Sequence, residues 1–229
     1  MPLHLLSIML AQLDSMPSLV SAIFSHSSFY AAFNEDRDRI VRQIITSQIS
    51  PGILNYAMRT HAASLWEPDR CSRRGLEQIR DFLFDHPVDT DFCDTEPQDQ
   101  TFARPGSIDL RLAAALSRTH ATVEFFTNDF LRDTLPLVRQ ELGLRRRNLT
   151  AATKTEVFRI HRAIYRFQLY CDLVRHPFTR EEERDHLWPI LFSNYFSNFS
   201  PWVNEQLASV CEYFDRVLSR GQLPVARPL

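Results

Sequence analysis

Five glycines, Gly52, Gly75, Gly106, Gly143 and Gly221, are all that interrupt 229 residues. An all-β chain turns about every ten residues and uses glycine where a turn needs positive φ, so a turn-rich sandwich or barrel is excluded. The same scarcity argues against glycine loops that cradle phosphate, and no nucleophile elbow or dinucleotide fingerprint is present. The expected fold is all-α.

Apolar spacing agrees. Ile40, Val41, Ile44 and Ile45 form one stripe and Ile53, Leu54, Ala57 and Met58 another, with Ser50 and Pro51 as N-cap and first residue of the second helix. Together these read as an antiparallel helical hairpin. Residues 85–107 lose the period, gain three prolines and hold most of a −7 stretch from Asp81 to Asp99, which reads as an acidic loop. Leu112, Leu116, Val123, Phe126 and Phe130 then share a face, although Thr122 to Phe126 alone would also suit a strand. Pro136 and Gly143 bracket a short further helix. Thr153 and Glu156 have capping-box spacing before the stripe Val157, Ile160, Ile164, Phe167, Cys171 and Val174. A second box, Thr179 with Glu182, precedes an aromatic series from Trp188 to Trp202, read as core in preference to a substrate surface. The last helix follows Ser200 and Pro201 and should bury Val203, Leu207, Val210, Phe214 and Val217.

Twenty-six basic and 28 acidic residues leave a net charge of −2, which gives no overall bias toward nucleic acid or an anionic membrane. No apolar run reaches the roughly 18 residues of a spanning helix. The apolar start lacks a preceding Lys or Arg and is closed by Gln12 and Asp14, so it is not read as a secretory signal. Cys71, Cys93, Cys171 and Cys211 form no C-x-x-C pair and read as reduced thiols of a cytoplasmic or nuclear protein.

Residues 3–33, LHLLSIMLAQLDSMPSLVSAIFSHSSFYAAF, combine three short apolar clusters with tightly spaced turn residues. This stretch resembles an F-box: Leu5, Leu6, Ile8, Met9 and Leu13 as the first helix, Asp14, Ser15 and Pro17 as the turn, Leu19, Val20, Ile23 and Phe24 as the second, Phe29, Tyr30 and Phe33 as the third. The likeness is closest to a group of filamentous-fungal F-box-like proteins, and RIHRAIYRFQLYCDLV (159–174) and FSPWVNEQLASVCEYF (199–214) extend it over most of the chain. The resemblance implies a three-helix module that docks on the Skp-type linker protein of a cullin–RING ubiquitin ligase, through Leu5, Leu6, Met9, Leu10, Leu13, Pro17 and Leu19. The competing reading is that Leu5, Leu6, Met9 and Leu10 merely pack on the helices that follow, because periodicity alone does not distinguish a face covered by the chain from one covered by a partner.

Chemistry-bearing constellations are weak. The eight histidines include no H-E-x-x-H, and neither a metal site nor a cofactor is expected. Cys171 with His176 is read first as a core thiol, His161 as a hydrogen-bonded boundary residue, and the acidic run Glu181 to Asp185 as a helix's first turn. No catalytic residue is assigned. Between Arg139 and Arg175 nine basic residues outnumber three acidic ones, and Arg159, Arg162 and Arg166 form a ridge that could meet an acidic partner. A solvated helix face or contact with the acidic stretch is favoured over nucleic acid. Lys154 is the only lysine beside 25 arginines, for which coding bias is the preferred account.

The expected organisation is therefore an F-box-like module at 1–35, a helical connector at 36–84, an acidic loop at 85–107, a helical bundle at 108–220 and a loose tail at 221–229. The expected function is a non-enzymatic adaptor that binds the linker protein and an unidentified client, with no membrane partner. The alternative is a helical scaffold with no ubiquitin role, and a nucleic-acid partner is the least favoured reading.

Overall fold

The computed structural model describes residues 2–66, 73–84, 108–141, 152–173, 189, 192–193, 195–197 and 199–219. Their regular elements are all α-helical: α1 (Leu3–Ala11), α2 (Met16–Ser25), α3 (Ser27–Glu35), α4 (Arg37–Gln48), α5 (Pro51–Ser64), α6 (Arg73–Phe84), α7 (Leu110–Glu141), α8 (Lys154–Leu173) and α9 (Pro201–Ser219). The chain divides into two compact units, one of Met1–Met58 with Pro97–Thr122, the other of Arg59–Glu96 with Val123–Leu229.

In the first unit, short polar punctuation separates three short helices. Ser15 adopts extended backbone before α2, its hydroxyl accepts from the Ser18 N–H at 3.2 Å, and Pro17 occupies the first turn, where a missing N–H costs nothing. His26 both ends α2 and caps α3, its Nδ1 accepting from the Ser28 N–H at 3.1 Å. Helix α1 packs on α3 and α4, and α2 packs on the same pair. Ala32 is fully buried, a small side chain that lets the α1 and α3 backbones approach, and the buried Ser7 hydroxyl donates to the Ala32 carbonyl at 3.0 Å. Around them Leu6, Leu10, Met16, Leu19 and Phe33 join Ile40, Val41, Ile44 and Ile45 in the interior. Each such aliphatic side chain contributes roughly 1.5–3 kcal/mol by leaving water. The expected stripes of α4 and α5 are buried, Met58 only partly.

The second unit centres on Ala63, Ile79, Leu83, Leu169, Leu173, Tyr195, Phe199, Val203 and Leu207. A ring cluster lies beside it: Phe214 stacks on Phe167 at 4.7 Å and meets Phe126 edge-on at 5.0 Å. The capping box forms as expected, with the Thr153 N–H donating to Glu156 Oε2 at 2.6 Å and the Glu156 N–H donating to Thr153 Oγ1 at 3.2 Å.

The helix expected after Ser107 runs through Thr122 to Phe126 without a strand; one local expectation is corrected, because Pro136 does not open a separate helix but lies inside α7, which continues to Glu141. Proline forfeits one i to i−4 bond, and a helix of 32 residues tolerates that loss where flanking turns hold it. Gly143, the second capping box and the acidic loop lie outside the described residues.

Candidate interaction surfaces

Helix α1 has two apolar faces, and the unit uses only one. Leu6 and Leu10, one turn apart, are buried, whereas Leu5, Ile8 and Met9 are 41%, 47% and 51% exposed. Their spacing of three and four residues makes these three neighbours on the helix surface. Leu13 is half-buried and Pro17 exposed. Among the residues assigned to linker docking, Leu6, Leu10 and Leu19 are therefore corrected to interior positions: α3 and α4 already cover the face they occupy. Leu5, Met9 and Pro17 remain accessible, and Ile8, which the assignment omitted, joins them. The first turn of α1 has no acid and its last turn no base, so the face offers apolar contact without charge. Phe24 and Tyr30 are also exposed, on α2 and α3.

The arginine ridge is a clear reversal. Arg162 and Arg166 are 1% and 0% exposed, among the most buried large side chains of the molecule, and only Arg159 reaches intermediate exposure. Arg166 donates from Nη1 to the Val203 carbonyl at 2.6 Å and from Nη2 to Asn204 Oδ1 at 3.0 Å, and its guanidinium carbon lies 3.5 Å from the centre of the Phe199 ring. Arg162 donates from Nη2 to Gln206 Oε1 at 2.8 Å and lies over Phe158. A planar, weakly hydrated cation with several donors suits this setting, where rings cover its faces and carbonyls its edge. The patch proposed for an acidic partner thus serves the α8–α9 packing. The Asn204 side-chain amide extends the network by donating to the Phe196 carbonyl at 3.0 Å, and the Tyr195 hydroxyl donates to the Arg166 carbonyl at 2.7 Å. Burial pushes the Tyr195 phenol far above its ordinary range, so it serves as a neutral donor.

The buried face of α8 is accordingly Phe158, Arg162, Tyr165, Arg166, Leu169 and Leu173. Of the expected stripe Ile164 is buried, while Val157, Ile160, Phe167 and Cys171 are half-covered. On α9 the expected face holds except that Tyr213 is buried and Phe214 only partly. Sequence reasoning missed Tyr213: its hydroxyl donates to the buried carboxylate of Asp129, which also pairs with exposed Arg132. Burial first, then the neighbouring Asp129, raise the Tyr213 phenol. The position of Asp129 between Phe126 and Phe130 on α7 was the available signal. The aromatic series also divides: Tyr195 and Phe199 are buried, Phe192 and Trp202 exposed, and Trp188 lies outside the described residues.

No group of three His, Cys, Asp or Glu suited to a metal ion occurs among the described residues, and none of their helices is long and apolar enough to cross a membrane. His161 and Cys171 are half-buried with interaction partners, and His176 and the run Glu181 to Asp185 lie outside the described residues. His120 is buried in the first unit; desolvation lowers its pKa to about 4, against a backbone hydrogen bond at Gln48 that favours the proton. Comparison with family models, characterised proteins and solved structures gives no match.

Proposed function

We propose that the chain is a non-enzymatic protein-binding adaptor whose N-terminal three-helix segment docks on a Skp-type linker protein of a cullin–RING ubiquitin ligase, while the second unit holds a client protein. The observation that carries the reading is the outer face of α1: Leu5, Ile8 and Met9 remain exposed while Leu6 and Leu10 complete the core. An uncharged apolar stripe on a helix already anchored by its opposite side suits the centre of a protein interface, where charge is depleted. Its three side chains are smaller than the ~800 Å² per partner of a standard contact, so Leu13 and Pro17 would have to contribute as well.

The test is co-elution of the purified chain with the linker protein on size exclusion. Leu5→Asp with Met9→Asp should abolish the complex and leave the melting temperature nearly unchanged, because both residues are exposed. Leu10→Asp is the contrast, since a carboxylate at that buried site should unfold the unit. A complex that survives the double substitution removes the docking reading. What then remains is a helical scaffold with no ubiquitin role, a reading favoured by the self-contained packing of Leu6, Leu10 and Leu19.

A further inference from the structure

We draw no further inference here: the strongest candidate, the groove along α4 lined by Asp38, Arg39, Arg42, Gln43 and Thr46, carries nothing because Asp36 pairs with Arg39 and Asp38 offsets the charge of Arg42, so neither net charge nor a buried polar group among these side chains selects a ligand.

Discussion

Replacing Arg166 by alanine separates a packed cation from a binding patch. The side chain makes two charge-assisted hydrogen bonds, to the Val203 carbonyl and Asn204 Oδ1, and stacks on Phe199. Bonds of this kind contribute about 1.5 kcal/mol or more each, and a desolvated cation–ring contact about 2 kcal/mol. Truncation also strands a buried acceptor and opens a cavity, but the terms overlap, so the expected cost is about 3–5 kcal/mol. For a chain of this size that corresponds to a fall of roughly 6–20 °C in Tm. Arg166→Lys should lose somewhat less, because an ammonium keeps the charge but not the fork. Urea titration followed by far-ultraviolet circular dichroism reads both variants, with Arg216→Ala as an exposed control expected within about 0.5 kcal/mol of wild type. A loss below about 1 kcal/mol for Arg166→Ala, with binding of an acidic ligand weakened instead, would refute the buried assignment and restore the ridge as a surface.

Two further outcomes follow from the described geometry. His120 titrates at about 4 in the folded chain against an ordinary 6.5, so between these values the unfolded chain binds more protons and stability rises with pH; the contribution is complete above about pH 6.5, is lost as pH falls to about 4, and amounts to roughly 3 kcal/mol. His120→Gln should flatten that part of the urea stability profile, and an unchanged slope would show that other groups carry it. Pro136 is exposed inside α7, so Pro136→Ala sacrifices no packing, restores a donor for the Arg132 carbonyl and should stabilise the chain by about 1–3 kcal/mol; a loss in thermal melts would mean that the helix depends on a break there.

The sequence by itself determined the helical class and several helix starts, because those depend on neighbours a few residues apart. Glycine scarcity removed the turn-rich alternatives, Ser50 with Pro51 and Thr153 with Glu156 placed helix starts, and the period of three to four residues found the cores of α4 and α9. It also identified α1 as apolar, but not which side the chain would keep. That choice belonged to the tertiary structure: α3 and α4 cover Leu6 and Leu10 and leave Leu5, Ile8 and Met9 in water. The same holds with greater force for Arg162 and Arg166. Read along the chain, cations at helical spacing indicate a solvated ridge, since isolated charge is costly to bury. Only the approach of Phe199, the Val203 carbonyl, Asn204 and Gln206 from distant sequence supplies the rings and acceptors that make the interior the better place for them.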